Sequence, residues 1–173
     1  MGYHGSSGSG NGNGAKKSVE LAFQTLGNWL EEDGWHPARV EGTLAFRTGF
    51  SGENARVVCV AEVRAQEQFV FYALVPNKVP QDRRLPVCEA LTRANWGLRI
   101  GNFELDFQDG EIRYKSSLDF EGELLTPALI RNAIYPAVAT LDHYLPALIA
   151  VAYGGKDPAE AIAEVEKPET TDS

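Results

Sequence analysis

The chain has 173 residues, 43% apolar and 23% charged, proportions close to those of folded globular domains, and a net charge of -8. A chain of this length holds one domain with its own core, burying about 70% of its unfolded surface. The acidic balance works against the basic stripe that a phosphate backbone requires, so no nucleic-acid partner is expected.

Residues 1–14 are nearly all Gly, Ser and Asn. Such a composition buries too little apolar area to offset backbone ordering, so a disordered native segment or tag is expected there. The stretch lacks the charged end and apolar core of a signal peptide, and no apolar run reaches the ~18 residues of a spanning helix. A cytoplasmic protein without a membrane partner is therefore expected. The folded domain is expected over residues 15–163, followed by a polar, disordered tail over 164–173.

The first element reads as a helix, because Val19, Ala22, Phe23, Leu26, Trp29 and Leu30 recur three and four apart. Ser18 is a candidate N-cap, and Gly34 can take the left-handed conformation that ends the helix. From Arg39 the period changes to two, with Val40, Leu44 and Phe46 alternating against polar neighbours, the pattern of one half-buried strand. A turn is expected over Gly49–Asn54, and two further strands over Arg56–Ala65 and Phe69–Val75. These inner strands are apolar on both faces. Val57, Cys59 and Val63 can face helices, whereas Val58, Val60, Val70, Tyr72 and Leu74 load the opposite side, which must be covered by the chain itself or by a partner.

A second helix is expected up to Trp96, with Val87, Ala90, Leu91 and Ala94 on its buried side and either Pro80 or Pro86 in its first turn. Asp109-Gly110 then predicts a two-residue type I′ hairpin, which would set Phe107 opposite Ile112, Asp106 opposite Arg113 and Glu104 opposite Lys115. Thr126-Pro127 opens a long apolar helix, with Pro136 and Pro146 expected to kink it or split it near Leu145. Asp157-Pro158 caps a short last helix. The order is helix, three-stranded antiparallel meander, helix, β-hairpin, long C-terminal helix: an α+β fold with a five-stranded antiparallel sheet.

Catalytic and metal-binding patterns are absent from the sequence. His4, His36 and His143 have no second ligand at metal spacing, and His143 beside Asp142 reads as a polar helix position. Asp106, Asp109 and Glu111 fit a turn and a cross-strand pair better than a calcium loop. Cys59 and Cys88 lack C-x-x-C spacing and read as small buried side chains. No nucleophile elbow or phosphate loop occurs, so no catalytic residue, metal or cofactor is expected.

The segments VPNKVPQDRR and ALTRANWGLRIGNFELDFQDGEIRYKSSLDF, within residues 75–120, resemble the YbjN-domain family, described as bacterial sensory transduction regulators. The likeness extends from EEDGW at Glu31–Trp35 to DHYLPAL at Asp142–Leu148. The resemblance implies a fold like that of the class I type III secretion chaperones, acidic proteins that commonly dimerise and wrap a client segment. It also implies a non-enzymatic regulator or chaperone-like adaptor, with no catalytic residues to carry over. The expected function is holding a protein client or regulatory partner, as a homodimer, through Val58, Val60, Val70, Tyr72 and Leu74. The alternative is a ligand-sensing pocket between sheet and long helix, with Tyr114, Tyr135 and His143 as polar contacts.

Overall fold

The computed structural model describes residues 11–167, with side chains from residue 14 onward. Helix α1 spans Asn11–Glu32 and buries the expected apolar stripe. It begins upstream of Ser18, so the expected N-cap lies inside the helix and residues 11–14 are not loose; residues 1–10 lie outside the described part. Its end forms as the sequence predicts. Gly34 takes φ +78°, its N–H donates to Glu31 at 3.1 Å, and Trp35 N–H reaches back to the Leu30 carbonyl at 2.8 Å.

The next segment departs from the expected single strand. Gly42, at φ +73°, reverses the chain, giving a hairpin of β1 (Ala38–Val40) and β2 (Ala45–Ser51) in which Val40 pairs with Ala45. Alternation in Val40, Leu44 and Phe46 suits one strand or two, and only the positive φ at Gly42 separates them. β2 then runs on through Gly49 and Ser51, so the turn shrinks to Gly52–Ala55. β3 (Arg56–Arg64) and β4 (Gln68–Leu74) follow close to their expected limits.

A short 3₁₀ turn (Gln81–Arg83) leads into α2 (Arg84–Asn95), then β5 (Asn102–Leu105), β6 (Ile112–Asp119), α3 (Pro127–Gly154) and α4 (Pro158–Val165). The sheet is thus α+β and antiparallel as expected, but six-stranded, in the order β1-β2-β3-β4-β6-β5.

The β5–β6 register is shifted by two residues from the expected hairpin. Leu105 faces Ile112, Glu104 faces Arg113 and Phe103 faces Tyr114. Asp109-Gly110 is not a two-residue turn because Gly110 is needed elsewhere. Its carbonyl accepts from Val79 N–H at 2.8 Å, and a Cβ there would lie 2.3 Å from the Val79 carbonyl oxygen. A shift of two preserves the faces, since side chains alternate with period two. Phe107 is the cost: it is lifted out of the pairing and left exposed.

α3 is continuous through Pro136 and Pro146, so of the two expected outcomes, a kink or a split, the split does not occur. Pro146 cannot donate to the Asp142 carbonyl, and the Asn54 side chain does so instead, at 3.0 Å. Although α3 is long and apolar enough by composition to cross a membrane, at mean hydropathy 1.3, half of that window is buried against the domain. α4 includes Glu164 and Val165, and Tyr144 Oη donates to Glu166 at 2.7 Å, so the fold extends past the expected limit at 163; residues 168–173 lie outside the described part. α1 packs on β3, α2 on β5, and α3 on β4 and β6. The core between them holds Cys59, Phe69, Phe71, Ile112 and Tyr114, each at most 1% exposed.

Candidate protein-docking face

The face opposite these helices is the outer side of the sheet. Pairing places its side chains in rows: Arg47, Val60, Tyr72 and Lys115 lie side by side across four strands, and Gly49, Val58, Leu74, Arg113 and Glu104 form the next row. Val70 is buried at 5% exposure, Val58 is 37% exposed, and Val60, Tyr72 and Leu74 are half-buried. The five residues singled out in the sequence therefore share one face as a contiguous apolar band, shielded by polar neighbours and partly open.

Those neighbours form a net. Arg113 stacks its guanidinium over the Tyr72 ring at 4.4 Å, and Arg64 donates to Tyr72 Oη at 3.2 Å. Glu104 accepts from Arg113 at 2.7 Å and also from Lys115. Burial alone would raise the Glu104 carboxyl, but hydrogen bonds from Lys115 and Arg113 outweigh it and hold the group below its ordinary value. Beside Tyr72, Arg64, Lys115 and Asp119 rim a shallow cleft of about 310 Å³. The arrangement presents aliphatic surface, one aromatic ring and fixed charges. Among the described residues no group of three His, Cys, Asp or Glu side chains could hold a metal ion.

Tyr114, Tyr135 and His143 do not converge. Tyr114 is fully buried, edge-on to Phe103, and its hydroxyl donates to the Ile100 carbonyl. Tyr135 belongs to an aromatic cluster with Trp29 and Trp35, and donates to Asp33 Oδ2 at 2.6 Å, the oxygen that also accepts from Trp35 Nε1. His143 is exposed, edge-on to Tyr144. Tyr144 itself is pushed up to about 12 by burial and by Glu166.

Sequence reading missed Arg47 and Arg56, which the pairing puts on the outer face. The period-two parity of β2 and β3 carries the signal, but it becomes readable only once the β1–β2 reversal is placed. It also missed Trp96, which closes α2 and stands 93% exposed.

Residues 23–150 match the YbjN family, whose description reads "Putative bacterial sensory transduction regulator". The chain belongs to this family. YbjN from E. coli, solved as a putative transcription regulator, shares 17% identity with it over 68% of this chain and 91% of that one, with TM-score 0.47. A chain of the HopA1–SchA chaperone–effector complex shares 13% identity, over 71% and 91%, with TM-score 0.48. No curated protein matches the sequence.

Within this YbjN domain the N-W-G-L-x-x-G-N-F-E-L-D run is accounted for mostly by structure. Asn95 pairs its amide with the edge strand, accepting from Phe103 N–H at 2.8 Å and donating to its carbonyl at 3.1 Å. Gly101, at φ +77°, leaves room for Tyr114, whose ring would lie 2.5 Å from a Cβ. Asp106 turns the loop by accepting from Gln108 N–H at 2.7 Å. Trp96, 93% exposed, has no partner among the described residues that explains its size.

Proposed function

We propose that this YbjN-family chain is a non-enzymatic regulator or chaperone-like adaptor that holds a protein segment against the outer face of its sheet. The observation that supports it is the band of Val58, Val60, Val70, Tyr72 and Leu74 on a face that none of the described helices covers. Apolar side chains in a contiguous, half-open patch rimmed by charge are the composition of an interface core and its rim. An extended segment laid across the strands would bury its alternate side chains on this band and leave the others near Arg113, Lys115 and Glu104. The protein acts in the cytoplasm as a homodimer; Leu85 at the start of α2 and Trp96 just past its end are exposed and available to a dimer contact.

Sedimentation velocity tests both parts. The native protein alone should sediment as a dimer and should co-sediment with a permanently unfolded chain such as reduced, carboxymethylated α-lactalbumin. Val60→Glu should keep the fold and lose the unfolded chain, because a charge would sit in the middle of the band. Equal binding by Val60→Glu and native protein would contradict the assignment of this face, and a monomer at every concentration would contradict the dimer.

A further inference from the structure

The charges of the outer face are not distributed as the chain's total suggests. The pairing places Arg47, Arg56, Arg64, Arg113 and Lys115 on it, against Glu62, Glu104 and Asp119. A chain of net charge -8 thus has one sheet face with an excess of cations. That excess is local. Arg64 is paired with Glu62, and Arg113 and Lys115 share Glu104, whereas Arg47 and Arg56 are exposed and make no ion pair among the described residues.

Arg47 and Arg56 flank Gly49. This glycine removes a side chain from the outer face between them, and the Arg56 Nε lies 3.7 Å from where its Cβ would be. Val58 pairs directly with Gly49, and Val60 with Arg47. On β2 and β3 the Arg56 guanidinium therefore lies over a residue that has no side chain, with Arg47 two positions away on the same face and the apolar band beside them.

Building on the docking role above, we infer that the segment held on this face is an acidic one: an extended stretch alternating aliphatic and carboxylate side chains, with a carboxylate meeting Arg47 and Arg56 beside Gly49. Guanidiniums match carboxylates in geometry as well as charge. The chain as a whole is acidic and disfavours such a segment, so the two arginines help to set where it lands as well as whether it binds. A lysine-bearing segment would meet two unpaired cations at the same point.

The probes are three labelled twelve-residue peptides with valine at alternate positions and glutamate, glutamine or lysine between, titrated into the full chain by fluorescence anisotropy. At low salt the glutamate peptide should bind about tenfold or more tighter than the lysine peptide, and 0.5 M NaCl should shrink that gap, as screening requires. The Arg47→Gln/Arg56→Gln double variant should bind the glutamate peptide no better than the glutamine peptide, with circular dichroism and Tm unchanged because both side chains are exposed. Equal binding of all three peptides, or a glutamate preference that survives the double variant, would overturn the inference. Val60→Glu separates the two levels of the claim. Loss of all three peptides without any glutamate preference leaves the docking face standing and removes its acid selectivity. If no peptide binds and Val60→Glu only halves the mass in solution, the occupant is a second copy of this chain and the inference is overturned with the client role.

Discussion

At the residue scale, Asp142 shows how one side chain can hold distant segments together. From the middle of α3 its carboxylate accepts from the Glu53 and Asn54 N–H groups at 2.9 and 3.1 Å, while Asn54 supplies the bond that Pro146 withholds. Gly52 is required beneath it, since a Cβ would lie 2.2 Å from Oδ1. Asp142→Ala should cost about 1 to 2 kcal/mol, the range for hydrogen bonds to a charged acceptor discounted for its exposure, measurable as a lower urea midpoint. Sequence reading placed Asp142 only as a polar neighbour of His143; its partners lie almost ninety positions away, and nothing local announces them. Cys59 was legible: it is buried in β3, as its apolar neighbours suggested. Burial pushes its thiol up to about 12 from an ordinary 9.0. The folded state therefore keeps the proton more tightly than the unfolded chain, and stability present below pH 9 is lost as pH rises from 9 toward 12. At pH 8 a thiol reagent should titrate one cysteine, the half-buried Cys88, in the native protein and two after denaturation.

At the element scale, the two ends of the sheet differ. β5 is protected because Asn95, at the end of α2, imitates a neighbouring strand against Phe103, one way of blunting an edge. Asn95→Ala should remove both hydrogen bonds, lower stability by about 1 to 2 kcal/mol and raise the rate of aggregation on heating, followed by light scattering against Tm. The elements with strong periodicity were legible: the stripe of α1, the apolar runs of β3 and β4, and the capped starts of α3 and α4 each follow from local chemistry. What misled were two glycine turns. Gly42 and Gly110 both take positive φ, but whether a glycine reverses the chain or serves a distant contact depends on its surroundings. Gly110 is held by Val79, thirty-one residues earlier, so the hairpin kept its faces and lost its register.

At the scale of the whole molecule, the described helices occupy one side of the sheet and leave its other side uncovered among the described residues. An antiparallel sheet can face water on one side, and does so normally with polar residues. Here the outer band is aliphatic in the centre and charged at the rim, and the unpaired cations sit at one end. The alternation that loads both faces of β3 and β4, and the side that meets the helices, were visible in the sequence; whether the second face stays open was not, because that depends on where the later helices pack. The tyrosines and histidine considered for a pocket were separated for the same reason: Tyr114 went to the core, Tyr135 to the aromatic cluster around Trp35, and His143 to the surface. The most direct test of a protein-holding outer face is an amide chemical-shift map of the full chain titrated with the unfolded α-lactalbumin probe. Shifts concentrated on β2, β3, β4 and β6, strongest around Gly49, Val58, Val60 and Tyr72, are predicted; shifts confined to α3 and the surroundings of Tyr135 and His143, with the outer strands unmoved, would contradict the account.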